Sequence, residues 1–264
     1  MRYHIDTHVH IYHCYEAEKF LSQAFRNSDA SDPAANLVLC LTESKGYNFF
    51  QELKNKAVSN TSIAGWSIFE VPGQPAVVLN KPGQHIIIIA GRQIITKQGL
   101  EVIALFDNLQ YNDGEETQTI IDKINEDKGI AVLPWGVGKW LGKRGAIITD
   151  LLKTNKPDKL AIADISARPS LWPDPEQFRL AKKSGYNCLY GTDPLPLNYD
   201  QQRIASAGMV LDLPSDPIQA IADMKNILIG QVPEKIFGKR VSTLRFLKDQ
   251  LMLRVNKKSC LSER

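Results

Sequence analysis

The chain is 264 residues long, 43% hydrophobic and 23% charged, with a formal net charge of +3, which suits one large globular α/β domain with a sizeable core. The charge is small and evenly spread, so nucleic acid is not an expected partner, although the segment 239–264 is locally basic and reads as a solvated helix face. Cys14, Cys40, Cys188 and Cys260 lie far apart with no Cys-x-x-Cys pair, which argues against a zinc ribbon or a disulfide framework and fits a reducing, cytoplasmic setting.

The N-terminus runs directly into an apolar strand at 3–5, with Arg2 ahead of it and no leader-like apolar region. No stretch approaches the roughly 18 apolar residues that a membrane span needs. Helical patterns at 16–26 and 47–57 flank a strand at 36–42, the alternation of a parallel α/β sheet. From 63 to 106 the rhythm changes to consecutive strands at 63–71, 76–79, 85–89, 93–96 and 102–106, punctuated by turns at Pro72, Pro82 and Gln98. The βα rhythm resumes with helices at 116–126, 146–153 and 175–183, one near Gln201 and one at 215–224. Strands fall between them at 130–133, 160–163, 187–190 and 210–213. With no linker and no internal repeat, residues 1–264 read as a single domain.

Four of the five histidines fall in the first thirteen residues, within His4-Ile5-Asp6-Thr7-His8-Val9-His10-Ile11-Tyr12-His13. In an extended segment alternate side chains share a face, so His8 and His10 can close on one divalent ion. Two later strand ends add carboxylates: Glu43 follows the strand ending at Thr42, and Asp193 sits in the turn Gly191-Thr192-Asp193-Pro194. Two imidazoles and two carboxylates suit Zn²⁺, Mn²⁺ or Fe²⁺. Asp6 reads as a partner orienting one of these histidines, and His4 as a core residue.

Two other strand ends carry charge. The loop Trp135-Gly136-Val137-Gly138-Lys139-Trp140-Leu141-Gly142-Lys143-Arg144-Gly145 places Lys139 and Arg144 where a helix begins, an arrangement suited to an anion or simply to an exposed basic loop. Asp164-Ile165-Ser166-Ala167-Arg168 presents Asp164 as a general base and Arg168 as an anion clamp, unless the two pair with each other.

In order along the chain, several of these segments resemble the motifs of the polymerase and histidinol phosphatase (PHP) domain family. Asp6-Thr7-His8-Val9-His10 is similar to its opening motif and Leu41-Thr42-Glu43-Ser44 to its second. Gly91-Arg92-Gln93-Ile94-Ile95 resembles its hairpin, Gly129 to Gly136 its Ala-His-Pro strand, and Tyr190-Gly191-Thr192-Asp193-Pro194 its closing motif. The resemblance implies a distorted (β/α)7 TIM-like barrel with a β-hairpin-rich middle, and a metal-dependent phosphoesterase acting on a small anionic or phosphorylated substrate.

Where that family places further ligands this chain has Ser44, Gln93, Trp135 and Pro194-Leu195-Pro196, and the only histidine after residue 13 is His85. A reduced site with one ion, held by His8, His10, Glu43 and Asp193, is therefore expected, with Trp135 either roofing it or packing in the core. Two other readings remain open. One is an amidohydrolase or TatD-type hydrolase, which the Asp-x-His-x-His start and the Thr-Asp-x-Pro turn also resemble; the other is a barrel without catalysis that binds a ligand or a protein.

Overall fold

The computed structural model describes residues 1–230 and 235–255. Cys260 and the end of the basic segment, 256–264, lie outside them. Strand β1 (Arg2–Val9) is buried from Tyr3 onward, as expected of a strand covered on both faces. It pairs in parallel with β2 (Asn36–Leu41) and antiparallel with β11 (Gly208–Asp212). The hairpin-rich middle extends this sheet through β5 (Gln84–Ile89), β4 (Ala76–Lys81) and β3 (Ser67–Glu70), and β12 (Lys235–Phe237) closes the other edge.

A second sheet runs β10 (Cys188–Gly191), β9 (Ala161–Ile165), β8 (Ile130–Pro134), β7 (Glu101–Leu105) and β6 (Gly91–Ile95). Ile5, Val38, Cys40, Ile87 and Ile89 of the first sheet share one core with Ile103, Leu105, Val132, Ala163 and Leu189 of the second. The opposite face of β2, with Leu37, Leu39 and Leu41, packs on Phe20, Leu21 and Ala24 of α1 (Ala17–Ser31) and on Phe50 and Leu53 of α2 (Phe49–Val58). Each such side chain, buried, contributes about 1.5–3 kcal/mol, so the period-two pattern fixes which way β1 and β2 face.

The expected closed barrel is corrected by this topology: the fold is α/β with two open, mixed sheets of seven and five strands. The reason lies in the middle segment. β5 pairs in parallel with β2 and is followed outward by two antiparallel strands, so the edge on which a closing strand would sit is already occupied. Among the described residues the sheets meet at their ends through isolated links, which include a parallel bridge between Glu43 and Arg92 and the bond from the Asp193 N–H to the His8 carbonyl at 2.9 Å. Gly91 makes the switch between sheets possible, because a Cβ there would lie 2.2 Å from the Leu41 carbonyl oxygen.

Smaller differences have local causes. The helix expected near Gln201 is a 3₁₀ turn, Asn198–Arg203, and α4 (Gly142–Thr154) starts inside the glycine-rich loop rather than after it. The remaining helices are α3 (Thr117–Glu126), α5 (Glu176–Lys183), α6 (Pro217–Gly230) and α7 (Thr243–Val255). No helix among the described residues is long and apolar enough to cross a membrane.

Candidate metal centre

The register between β1 and β2 shifts between Asp6 and Val9, an irregularity of the kind that re-aims side chains at the end of a strand. Within and just past it, His8 and His10 bring their Nε2 atoms within 3.2 Å of each other. The Oδ1 of Asp193 stands 3.4 Å from Nε2 of His8 and 3.6 Å from that of His10. Among the described residues these three side chains form a group whose ligand atoms all lie within 4.8 Å of one another. A tetrahedral ion with ligands at about 2.0–2.2 Å spaces its donor atoms about 3.3–3.6 Å apart, so the triangle fits one face of such a site.

The electrostatics agree with the geometry. Burial, reinforced by the charge of Lys139, pushes the His8 imidazole down to about 3, and burial together with His8 pushes His10 down to about 3. Both rings are therefore neutral at physiological pH, the form that binds metal. Burial raises the Asp193 carboxyl, while His10, Arg203 and Lys139 draw it back. His8 Nδ1 is buried without a hydrogen-bond partner. Gln93 lines the same cleft as His10 and draws its pKa part of the way back up, and the Gln93 amide donates to Glu101 at 3.3 Å. Glu101 in turn pairs with Lys139.

Asp193 occupies this position at a backbone cost. Its φ is +49°, a left-handed conformation that Asp adopts more readily than most residues. The bond to the His8 carbonyl and the Arg203 guanidinium, which donates to the Thr192 carbonyl at 2.7 Å, hold the turn in place. Asp6 lies beneath it, wholly buried. Its carboxylate accepts from the backbone N–H groups of His8 (3.2 Å), Thr192 (2.8 Å) and Ala205 (2.9 Å) and from the Thr192 hydroxyl (2.5 Å). Burial nevertheless pushes it up to about 6. Asp6 thus organises the backbone of both ligand-bearing segments instead of a histidine ring.

The other expected site residues are placed as follows. Glu43 is buried outside the triad; its Oε1 accepts from the Phe50 N–H at 3.0 Å, and Arg92 stands 3.8 Å from its Oε2. A carboxylate there stabilises the first turn of α2. Lys139 lines a cleft of about 240 Å³ with His10, Tyr12, Gln93, Glu101 and Asp193. Arg144 ties down the glycine-rich loop through the carbonyls of Gly138 (3.0 Å) and Gly99 (3.4 Å).

Arg168 and Asp164 do pair with each other, at 2.7 and 2.6 Å, and Asp174 and Arg240 complete the network. Neither lines the cleft beside the triad. Trp135 does line it, while packing edge-on against Trp172 and beneath the Arg168 guanidinium. His4 is a core residue, with Nδ1 3.0 Å from the Ser28 hydroxyl and its ring stacked on Phe237. The supporting set of Gln93, Glu101 and Tyr12 was not assigned from sequence. The available signal was the hairpin of β6 and β7, which brings positions 93 and 101 to the same end of the second sheet.

No family model matches the sequence, and no curated protein matches it. Similarity is found among solved structures. One is described as PsfC from Pseudomonas syringae PB-5123, at 16% identity and a TM-score of 0.61, with 98% of each chain covered. Another is Endonuclease Q in complex with a 27-mer duplex substrate bearing an abasic lesion at the active site, at 11% identity and a TM-score of 0.51. That likeness covers 91% of this chain and 60% of the other. At these identities the shared property is the fold. The expectation that set nucleic acid aside is corrected accordingly, because a chain of similar fold carries a duplex substrate and a small net charge does not preclude local phosphate contacts. The chain therefore shares its fold with PsfC over nearly its whole length and with about three fifths of Endonuclease Q.

Proposed function

We propose that the chain is a metal-dependent hydrolase of phosphoesters, of PHP-like kind, with nucleotides or nucleic acid among its substrates. The observation that carries this reading is the triangle of His8, His10 and Asp193, with neutral imidazoles and donor atoms 3.2 to 3.6 Å apart. A Zn²⁺, Mn²⁺ or Fe²⁺ ion bound there supplies Lewis acidity and acidifies water. The fold shared with Endonuclease Q, described with a duplex at its active site, supports a nucleic-acid substrate.

The protein's own residues supply the rest. Gln93 faces the cleft beside His10, and Glu101 holds the Lys139 ammonium there. Lys139 is then placed to offset the negative charge that builds on a phosphoryl group. Glu43 supports α2 and faces Arg92. Asp164, Arg144 and Arg168 contribute to the framework through their ion pairs and carbonyl bonds.

The test couples elemental analysis of the purified protein to a screen of phosphomonoesters, phosphodiesters and amides. We expect turnover of a phosphoester that depends on added Mn²⁺ or Zn²⁺ and is abolished, with the bound metal, in His8→Ala. Turnover of amides alone would favour an amidohydrolase, and a protein without metal or turnover would favour a binding module.

A further inference from the structure

A second cleft opens on the far side of Tyr12. It measures about 480 Å³ and is lined by Tyr12, His13, Tyr15, Phe20, Tyr47 and Phe49, with Asn48 and Glu52 at its rim. Its volume lies within the range typical of small-molecule sites. Tyr12 belongs to both clefts. Its ring stacks on His10 with centroids 5.5 Å apart and meets the Tyr47 ring edge-on at 5.6 Å. Tyr47 in turn stacks on His13 at 4.5 Å and 23°. A continuous series of rings thus leads from a residue of the candidate triad to the exposed His13 and its half-buried partner Tyr47.

Core packing accounts for only part of this series. Phe20 and Tyr15 are buried and form the floor, but His13 is exposed and Tyr47 and Phe49 are half-buried. The exposed His13 ring, backed by Tyr47, presents a stacking surface to a planar ring. Glu52, exposed on α2 and only 4.0 Å from its Lys56 neighbour, adds an acceptor at the rim. Such a carboxylate accepts from the exocyclic amino groups of nucleobases.

Resting on the phosphoesterase reading, we infer that this cleft is a stacking subsite for an unpaired nucleobase whose phosphate lies at the triad. The substrate class is then a nucleotide or an unpaired stretch of nucleic acid, and Tyr12 is the wall that separates base from phosphate. Stacking tolerates every base, whereas Glu52 favours those with an exocyclic amino group.

The experiment measures binding to the full chain in two pairs of probes. Adenosine monophosphate is compared with ribose 5-phosphate, and a four-nucleotide single-stranded oligodeoxyadenylate with an abasic strand of equal length. The base-bearing member of at least one pair should bind about tenfold tighter, and His13→Ala and Tyr47→Leu, each checked for folding by circular dichroism, should cut that preference about five- to tenfold. A preference confined to the first pair identifies a mononucleotide site, and one that extends to the second identifies a strand. Equal affinity within both pairs, or a preference unchanged in both folded variants, would overturn the inference. Turnover is read separately: a base preference in a metal-loaded protein that hydrolyses no phosphoester would refute the hydrolase reading and leave the stacking site standing.

Discussion

The backbone N–H of Asp193 donates to the carbonyl of His8 at 2.9 Å, so a candidate ligand on one sheet is fastened to a candidate ligand on the other. The fastening depends on Gly191, where a Cβ would lie 2.4 Å from the His8 nitrogen and 2.8 Å from Asp6 Oδ1. Gly191→Ala must push β10 away from β1. Overpacking of this kind costs about 1–3 kcal/mol, and calorimetric titration with Zn²⁺ should show affinity falling at least about tenfold, since a 1.4 kcal/mol loss at the ion corresponds to that factor.

Asp6 binds no substrate, yet four donors converge on it. Asp6→Ala leaves the N–H groups of His8, Thr192 and Ala205 buried without an acceptor, at about 1–3 kcal/mol each. Denaturant unfolding should therefore show a loss of about 3 kcal/mol or more. Asp6→Asn, which keeps one acceptor oxygen, should lose less.

For Arg168 the structure directs the expected defect to stability. Its side chain is wholly buried and joined to Asp164 and Asp174, and Arg240 shares both carboxylates. Breaking a buried pair costs about 3–5 kcal/mol. Arg168→Met should fall near the lower end, because Arg240 still faces Asp164. The residual turnover per folded molecule should match the parent, and this is measured by normalising rates to the folded fraction.

Acid sensitivity should trace in part to His4. Burial lowers its pKa below the usual 6.5, so below that value the unfolded chain takes up more protons than the folded one. The stability this group contributes is therefore complete above about pH 6.5 and is lost as the pH falls through the window beneath it. Unfolding free energies measured at pH 7.5 and 5.5 should differ more in the parent than in His4→Gln.

Much of the centre was legible in the sequence because period-two alternation is local: His8 and His10 share a face by spacing alone, and the Thr-Asp-Pro turn announces a carboxylate at a strand end. Glu43 shows where local reading ends. Its place after β2 was correct, but the direction of its carboxylate is set by the N-terminus of α2 and by Arg92, which only the tertiary fold brings near. The pairing of Asp164 with Arg168 was one of two alternatives the sequence left open, and Asp174 and Arg240 decide it. The barrel expectation failed for a topological reason. The hairpin signals at 63–106 do mark strands, but periodicity carries no information on whether those strands extend a sheet or close it. The chain from His10 through Gln93 and Glu101 to Lys139 was hidden for the same reason, since its members come from β1, the hairpin of β6 and β7, and the loop before α4.

The central claim is that His8, His10 and Asp193 hold one divalent ion, and its most direct test is metal stoichiometry by elemental analysis after loading with Zn²⁺ or Mn²⁺ and dialysis. The account predicts about one ion per chain in the parent and loss of that ion in His8→Ala, His10→Ala and Asp193→Asn, the last retaining a side chain that tolerates the left-handed backbone. A parent protein that retains no ion, or an ion retained undiminished in all three variants, would contradict it.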